Sequence, residues 1–294
     1  MKRVLITGYR GFTGQYLAAR LREEGAEVYG LVQKKSDDAM EFCCDLRCVA
    51  DVREVVLAVK PSHVVHLAAI SFVAHGDIRA FYDVNLFGTL NLLEAIGALG
   101  TVPERVLIAS SANVYGAPRV EVVDEQQCPL PINHYGNSKL AMENMVRNWM
   151  ERMSIVIARP FNYTGIGQDE RFLIPKIVAH LKRRVAVLQL GNMDIARDFS
   201  DVRDVAKAYA RLLDDEGAAG QTVNICSGIA YKLREVLELA CEFAGYRPEV
   251  RVDSGLIRSN EIKRLVGDYG RLRKLTGFVP SISMTETLRW MLKA

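Results

Sequence analysis

Short apolar runs alternate with longer amphipathic stretches along the first half of the chain. Five runs are rich in β-branched residues and almost continuously apolar, as expected of strands buried on both faces: RVLITG, EVYGLV, HVVHLAA, RVLIASS and SIVIARP. Between them, residues 14–24 and 82–98 repeat apolar positions at helical spacing. This alternation predicts an α/β protein built on a doubly wound parallel sheet.

The regular alternation loosens after Pro160. Residues 163–196 and 229–294 mix short helices, turns and brief strands, whereas the stretch DFSDVRDVAKAYARLL returns to the earlier pattern. We therefore predict a main domain formed by residues 1–162 and 197–228, and a smaller carboxyl-terminal α/β lobe formed by residues 163–196 and 229–294. A cleft between two such units is the usual place for a ligand.

Composition excludes several classes of partner. The 294 residues are 49% hydrophobic and 25% charged, and the net charge of +3 is spread along the chain, which predicts neither nucleic-acid nor membrane binding. No apolar segment approaches the ~20 residues needed to span a bilayer, and the first apolar run turns directly into glycines, as a first strand does and a signal peptide does not. The six cysteines form no C-x-x-C pair, so we expect reduced thiols, no metal site and a cytoplasmic protein.

A glycine-rich loop joins the first strand to the first helix. TGYRGFTG places Gly8, Gly11 and Gly14 at intervals of three residues. Glycine allows the backbone to turn tightly and to approach a pyrophosphate, whose charge then faces the amino terminus of the helix. The spacing differs from the commoner G-x-G-x-x-G, but the strand–turn–helix context predicts a Rossmann-type dinucleotide site.

The residues that follow the second and third strands indicate which dinucleotide is bound. NAD sites commonly present a carboxylate about twenty residues after the glycine loop, for the ribose 2′-hydroxyl. Here the glycine loop contributes Arg10, and the second strand ends with Gln33, Lys34 and Lys35. Because cations attract a 2′-phosphate, NADP(H) is favoured, with NAD(H) as the alternative. The third strand ends near Asp45 and Leu46, where Asp45 is expected to accept a hydrogen bond from the adenine amine.

Tyr135 and Lys139 lie four residues apart in HYGNSK, so one helical face would carry both. Such a pair is common on solvated helices, and the spacing alone leaves a surface role open. Six motifs in order, however, resemble the extended short-chain dehydrogenase/reductase family, also called the NAD-dependent epimerase/dehydratase family, over essentially the whole chain. They are TGYRGFTG, HLAA at 66–69, Asn85 in DVNLFGTLNLLEA, SSANVYG at 110–116, YGNSK at 135–139 and RPFN at 159–162.

The resemblance implies a catalytic role for three residues: Ser111, Tyr135 and Lys139. Hydride transfer to a ketone creates an alkoxide that needs a proton, and a tyrosine with an ordinary pKa of ~10 is a poor acid at neutral pH. We expect the Lys139 ammonium, together with the cofactor's nicotinamide ring, to lower that pKa and the Ser111 hydroxyl to orient the carbonyl. The cofactor contacts implied are Gly8, Gly11, Phe12, Thr13, Gly14, Leu67, Ala68, Ala69, Asn85, Tyr135, Lys139 and Pro160.

Position 113 distinguishes the activities of the family. By the same resemblance, 4,6-dehydratases carry a glutamate there as the base for water elimination, and the epimerase-reductases that make GDP-fucose carry a cysteine. Asn113 can neither accept a proton nor form a thiolate. Carbonyl reduction or C4 epimerisation is therefore favoured, unless another residue supplies the base.

Further motifs resemble the substrate side of nucleotide-sugar enzymes. In ARPFNYTGIGQ, Pro160 would pack near the nicotinamide and Asn162 would donate to a phosphate. GNMDIARDFSDVRDV resembles GDP-mannose-modifying members, with Arg197 meeting the nucleotide or else pairing with a neighbouring aspartate (198, 201 or 204). In GLIRSNEIKRLVGD, Arg258 would hold the diphosphate or lie in a surface loop. Asn113, Lys176 and Glu261 complete the predicted substrate side.

Together these resemblances imply NADP(H)-dependent reduction of the C4 ketone of a GDP-linked 4-keto-6-deoxy sugar, the step from GDP-4-dehydro-6-deoxy-D-mannose to GDP-D-rhamnose. An NAD-retaining C4 epimerase using the same residues is the alternative, followed by a 4,6-dehydratase. A protein that only senses the dinucleotide is disfavoured because Tyr135 and Lys139 are both present. The family resemblance also implies a homodimer, with residues 82–98 and 135–152 as the pairing helices.

Overall fold

The computed structural model describes residues 2–73, 76–253, 255 and 262–294. Its strands are β1 (Arg3–Thr7), β2 (Glu27–Val32), β3 (Glu41–Cys43), β4 (His63–His66), β5 (Arg105–Ala109), β6 (Ile155–Pro160), β7 (Asn162–Thr164), β8 (Val187–Leu190), β9 (Ala196–Asp201), β10 (Thr222–Ile225), β11 (Ala230–Lys232), β12 (Glu249–Val252) and β13 (Arg264–Leu265). Its α-helices are α1 (Phe12–Glu23), α2 (Val49–Val59), α3 (Ile78–Tyr82), α4 (Gly88–Gly97), α5 (His134–Arg147), α6 (Leu173–Lys182), α7 (Val202–Asp214), α8 (Leu233–Ala244), α9 (Gly270–Thr276) and α10 (Met284–Lys293).

Seven strands form the central sheet in the order β10-β6-β5-β4-β1-β2-β3, and every neighbouring pair is parallel. The direction of winding reverses between β1 and β4, which places the ligand crevice at the carboxyl ends of these strands. The predicted doubly wound parallel sheet is thus confirmed. Strand β10 was not predicted, because its four residues TVNI are too short to signal a strand alone.

Helices cover both faces of this sheet. Helices α1 and α7 bury Leu17, Leu21 and Tyr209 against one face. Helices α2, α4 and α5 bury residues such as Leu92 and Met142 against the other. Each fully buried side chain of this size contributes about 1.5–3 kcal/mol, so the two layers hold the strand ends in fixed positions.

The helix predicted over residues 82–98 is longer and less regular than expected. The observed helix begins at Ile78, where the Asp77 side chain accepts a hydrogen bond from the Ala80 amide, and ends at Gly97. Its middle part, Asp83–Phe87, is π-helical. Such a wide turn inserts one extra residue and is frequent at functional sites. The first helix likewise begins at Phe12 rather than at residue 14, because Gly11 is its N-cap.

The remaining strands form smaller sheets. Strand β9 pairs with β7, β11 and β13, and β8 pairs with β12. Helices α6, α8 and α10 pack on this part around an apolar cluster that includes Ile177, Leu188, Val236 and Leu288. None of the helices within the described residues has both the length and the apolar character that a bilayer span requires.

Candidate active site

A cavity of about 940 Å³ opens at the carboxyl ends of β1, β4, β5 and β6. The glycine loop and the segment after β4 line it. Residues from β7, α6 and β9 line it as well. The cavity therefore lies where the sheet order predicts a ligand, and the smaller sheets complete its wall.

The glycine loop forms a cradle whose backbone packs too tightly to admit side chains at Gly8 and Gly14. Gly8 has a φ of +69°, and a Cβ atom on it would lie 2.9 Å from the Ala68 amide nitrogen. A Cβ atom on Gly14 would lie 2.4 Å from two carbonyl oxygens of the same loop. Gly11 has no side chain to cap α1, so the first amides of that helix are directed at the cradle. These features fit the pyrophosphate of a dinucleotide.

Phe12 and Thr13, which lie between Gly11 and Gly14, contact Tyr163 in β7. The Thr13 hydroxyl and the Tyr163 hydroxyl share a hydrogen bond of 2.8 Å. The Phe12 ring stacks on the Tyr163 ring, with centroids 5.9 Å apart and planes within 9°. Both residues predicted here line the cavity, and Tyr163 is a contact that the sequence did not reveal.

A buried histidine fixes the loop after β4, where Leu67, Ala68 and Ala69 line the cavity. The Ala68 amide donates to the Thr7 hydroxyl, which is 2.7 Å from His66 Nδ1. On the other side, the Thr89 hydroxyl donates to the Asn85 carbonyl and is 2.8 Å from His66 Nε2. This pattern places a single proton on Nε2, and burial lowers the pKa of His66 to about 3. His66 is therefore a neutral structural bridge.

Asn85 holds this loop in place through hydrogen bonds with Ile70. Its side chain is fully buried, and its amide bonds to both backbone groups of Ile70 and donates to the Ser138 hydroxyl at 3.0 Å. It lies outside the cavity lining formed by the described residues. Asn85 thus ties the loop after β4 to helix α5, and its predicted cofactor contact stays a prediction.

Helix α5 brings the predicted tyrosine and lysine to the cavity. The Asn133 side chain caps the helix by accepting from the Gly136 amide at 2.8 Å, so the helix begins one residue before Tyr135. Tyr135 and Lys139 both line the cavity although only 7% and 2% of their surfaces are exposed. The Lys139 ammonium donates to the Ala109 carbonyl at 2.8 Å, at the end of β5. The pair is therefore not a solvated surface pair.

Ser111 follows β5 and lines the same cavity. Its hydroxyl accepts from the Asn113 amide nitrogen at 3.1 Å and from Asn113 Nδ2 at 3.2 Å. These two bonds leave the hydroxyl proton of Ser111 available for another acceptor. Asn113 lines the cavity as well, next to Ser111 rather than alone on the substrate side.

Burial controls the charge states at this site. It raises the pKa of Tyr135 to about 12, opposed by the hydrogen bond with Ser111. Burial also lowers the pKa of Lys139 to about 8, opposed by the charge of Glu143. Desolvation of the phenol outweighs the hydrogen bond with Ser111, and the expected lowering of this pKa by Lys139 together with a nicotinamide ring stays a prediction. Tyr135 is therefore protonated at neutral pH.

A buried ion pair that the sequence analysis missed supports this helix. Arg159 donates to Glu143 through Nε and Nη2, and the Ser110 hydroxyl donates to the same carboxylate. The Arg159 guanidinium also lies 4.8 Å from the centre of the Tyr115 ring. The sequence did contain a signal for this ion pair. IVIARP is an otherwise apolar buried run that includes an arginine, and a buried cation needs a partner.

Four of the predicted substrate residues line the cavity: Asn113, Asn162, Lys176 and Arg197. Pro160, which was predicted as a cofactor contact, lines it as well. The Lys176 ammonium donates to the Gln189 carbonyl at 2.7 Å. The three aspartates considered as partners of Arg197 accept hydrogen bonds from other groups. Asp198 accepts from the amides of Ser227 and Gly228, and Asp201 accepts from Arg203. Asp204 accepts from the amides of Ser281 and Ile282. Arg258 and Glu261 lie outside the described residues.

The loop after β4 and the loop before α6 both line the cavity and contact each other. The rings of Phe72 and Phe172 make an edge contact with centroids 6.0 Å apart, and the Arg171 guanidinium lies 5.3 Å from the centre of the Phe72 ring. All three residues line the cavity. No local sequence pattern predicts this contact, because Phe72 and Phe172 come from loops 100 positions apart.

The residues predicted at the adenosine end are not part of the cavity lining formed by the described residues. Most of them follow β2 or β3. They are Arg10, Gln33, Lys34, Lys35, Asp45 and Leu46. Arg10 pairs with Glu41, and Asp45 pairs with Arg47 at 2.7 Å. The hydrogen bonds from Arg47 hold the pKa of Asp45 below its ordinary value, so it is an ionised acceptor at neutral pH.

The parallel sheet, the glycine cradle and the Ser–Tyr–Lys cavity define a dinucleotide-binding α/β protein of the extended short-chain dehydrogenase/reductase class. The chain belongs to the GDP-mannose 4,6-dehydratase family, whose model matches residues 5–291.

Curated relatives align along nearly the whole chain. It is 34% identical over 276 residues to the GDP-6-deoxy-D-talose 4-dehydrogenase of Aggregatibacter actinomycetemcomitans, covering 94% of this chain and 91% of that protein. It is 35% identical over 302 residues to the GDP-6-deoxy-D-mannose reductase of Pseudomonas aeruginosa, covering 99% and 96%.

Solved structures share the complete fold. A putative epimerase from Burkholderia cenocepacia J2315 superposes with a TM-score of 0.92 at 43% identity, covering 99% of this chain and 97% of that chain. The RMD protein from Pseudomonas aeruginosa, solved in complex with NADPH, superposes with a TM-score of 0.87 at 33% identity, covering 100% and 98%.

Proposed function

We propose that this chain is an NADP(H)-dependent reductase of the C4 ketone of GDP-4-dehydro-6-deoxy-D-mannose, with GDP-D-rhamnose as the product. The observation that carries the proposal is that Ser111, Tyr135 and Lys139 line one cavity with the glycine loop. Two relatives named for oxidoreductase activity at a GDP-linked 6-deoxyhexose support the substrate class.

The predicted division of labour follows from this proposal. Residues 1–162 and 197–228 would hold the dinucleotide, and residues 163–196 and 229–294 would hold the nucleotide sugar. The cradle at Gly8, Gly11 and Gly14 suits the pyrophosphate of the dinucleotide. Asn162, Lys176 and Arg197 line the same cavity, and their donor groups suit the diphosphate of the sugar nucleotide.

A bound nicotinamide dinucleotide supplies the hydride for the reduction. Tyr135, which is protonated at neutral pH, donates its proton to the oxygen that becomes the new hydroxyl. The Ser111 hydroxyl donates a hydrogen bond to the same oxygen and orients the carbonyl. The Lys139 ammonium stabilises the phenolate that Tyr135 leaves behind, because it is charged below a pH of about 8.

Asn113 argues against dehydration despite the name of the family. Its Nδ2 atom donates to Ser111, and a carboxamide has no basic site at neutral pH. Elimination of water would need a base at this position to remove a carbon-bound proton. The arrangement of Asn113 beside Ser111 instead suits a site that only orients the carbonyl.

The cofactor preference is the second part of the proposal. Arg10, Lys34 and Lys35 at the adenosine end suit a 2′-phosphate, and the similar RMD structure contains NADPH. NAD(H) is the alternative. Comparing dissociation constants for NADPH and NADH decides between them, with tighter binding of NADPH expected.

A C4 epimerase is the second candidate, because it would use the same three residues and a similar solved structure carries the name putative epimerase. An epimerase would retain its nicotinamide and consume none. Spectra of the purified protein and stoichiometric consumption of added NADPH separate the two candidates.

The proposed function is tested by mixing the protein with GDP-4-dehydro-6-deoxy-D-mannose and NADPH. We expect the absorbance of NADPH to fall in step with formation of a GDP-6-deoxyhexose whose proton couplings at C4 show the rhamno configuration. A talo configuration would correct the product alone, whereas no consumption of NADPH would contradict a reductase.

We also propose that the protein is a homodimer that pairs through the helix spanning residues 78–97 and through α5. Phe87, on the first of these helices, supports this proposal because 52% of this apolar residue is exposed. Light scattering after size-exclusion chromatography is expected to give twice the mass of the chain, and a monomer would contradict the proposal.

A further inference from the structure

At the proposed adenosine end of the site, the number of cationic side chains equals the number of carboxylates. The cations there are Arg10, Lys34 and Lys35, and the carboxylates in the same loop region are Asp37, Asp38 and Glu41. Four of these six residues are exposed chain neighbours between positions 34 and 38. Arg10 and Glu41 differ, because they come from separate elements and bond to each other.

Glu41 binds the guanidinium of Arg10 along one edge. Arg10 Nε donates to Glu41 Oε1 at 3.2 Å, and Arg10 Nη2 lies 2.5 Å from Glu41 Oε2. Arg10 Nη2 also donates to the Ser36 hydroxyl at 2.8 Å. Only 7% of the Glu41 side chain is exposed, because these neighbours cover it, whereas 51% of the Arg10 side chain is exposed.

The carboxylate of Glu41 is ionised at neutral pH. A hydrogen bond from Ser36, assisted by the charge of Arg10, holds the pKa of Glu41 below its ordinary value. Arg10 therefore meets a ligand with its charge already balanced, and with the edge formed by Nε and Nη2 already bonded.

We propose that Glu41 is a cofactor-specificity residue that weakens binding of the 2′-phosphate of NADPH by competing for Arg10. This inference rests on the proposed function, in which Arg10 faces the 2′-phosphate. A guanidinium binds a phosphate best through two parallel donors on one edge, and on this edge of Arg10 the Nε donor is bonded to Glu41 and the Nη2 donor to Ser36. NADH carries a 2′-hydroxyl in place of this phosphate, so its binding does not depend on a free guanidinium edge.

The test is Glu41→Gln, read by the dissociation constants of NADPH and NADH in fluorescence titrations of the purified protein. Glutamine keeps an oxygen that can accept from Arg10 Nε but removes the charge. We expect NADPH to bind about tenfold more tightly and NADH to change by less than about twofold. Asp37→Asn is the matched control, because it removes a carboxylate from the exposed part of the same loop, and it is expected to change both constants by less than about twofold.

Two results would overturn the proposal. An unchanged ratio of the two constants would show that Glu41 does not act on specificity. Weaker NADPH binding would show that Glu41 orients Arg10 for the phosphate instead of competing for it. Because these readouts are binding constants, they are independent of the turnover assay that tests the proposed reduction.

A second comparison tests whether competition for Arg10 is the cause. Glu41→Gln introduced together with Arg10→Gln is compared with Arg10→Gln alone, with thermal unfolding as the check on folding. We expect NADPH affinity to be equal in the two proteins, since the competition requires the guanidinium. A persisting tightening of about tenfold would overturn competition for Arg10 as the cause.

Discussion

The two ends of the dinucleotide site are built in different ways. At the nicotinamide end, Tyr135 and Lys139 are 7% and 2% exposed, and helix α5 and the end of β5 hold them in place. At the adenosine end, Arg10 is 51% exposed and lies among loop residues of both charges. The groups proposed to carry the chemistry are thus held by buried bonds, while the groups proposed to select the cofactor balance one another at the surface.

This difference predicts a gradient of mutational effects. Removing a buried group that acts on the reacting atoms is expected to cost orders of magnitude in rate, because nothing replaces it. Removing an exposed charge is expected to cost little, because water and neighbouring charges compensate.

The largest effect is expected for Tyr135→Phe. Loss of the proton donor should lower the turnover number about 10²–10⁴-fold, the usual contribution of a general acid. Steady-state NADPH oxidation with the keto sugar measures it. Tyr163→Phe is the matched control, since its hydroxyl bonds to Thr13 in the same cavity, and it should change turnover only a few-fold. Equal losses in both variants would remove Tyr135 from its assigned role.

Two neighbouring serines give the next largest contrast. Ser111→Ala should lower turnover about 10²-fold, as loss of a donor to a developing oxyanion does. Ser110→Ala removes a hydrogen bond to the buried Glu143 carboxylate and should instead lower the free energy of unfolding by about 1.5–3 kcal/mol. Turnover and chemical denaturation of both variants measure this, and the prediction fails if Ser110→Ala loses more turnover than Ser111→Ala.

The pH profile of reduction tests the charge of Lys139. Burial disfavours the ammonium and lowers its pKa to about 8, so the cation is present below that pH and is lost above it. The pKa of Tyr135 is about 12, so its proton is retained over the same range. Turnover is therefore expected to fall about tenfold between pH 7 and pH 9. A flat profile to pH 9 would show that the reaction does not need the ammonium.

A smaller effect is expected at the adenosine end. Arg10→Gln should weaken NADPH binding about tenfold and leave NADH binding nearly unchanged, because only the 2′-phosphate meets the guanidinium. Lys34→Gln, which removes an exposed charge nearby, should weaken NADPH by less than about threefold. Titration of both cofactors measures this, and equal changes for NADPH and NADH in Arg10→Gln would contradict a phosphate contact.

The sequence predicted the central sheet well because its signals are local. Runs such as RVLITG and SIVIARP can only be satisfied as buried strands, and glycines at positions 8, 11 and 14 identify the turn between β1 and α1. The spacing of Tyr135 and Lys139 likewise fixes one face of α5. These features depend on residues close together in the chain.

The parts that the sequence could not predict depend on long-range pairing or on burial. Glu41 meets Arg10 across 31 positions, and this contact follows from the register of β2 and β3 rather than from any motif. The cations after β2 were therefore visible in the sequence, while the carboxylate that balances one of them was not. Burial raises the pKa of Tyr135, and this was not visible in the sequence because the depth of burial is a property of the folded chain.

The most direct test of the account follows the transferred hydrogen. NADPH that carries deuterium at the reactive position of its nicotinamide is mixed with GDP-4-dehydro-6-deoxy-D-mannose and the protein, and the product is examined by NMR and mass spectrometry. One deuterium at C4 of the sugar for each cofactor oxidised is the predicted result, with Tyr135→Phe forming this product at least about a hundredfold more slowly. A product without deuterium at C4, or deuterium transfer at an unchanged rate in Tyr135→Phe, would contradict it.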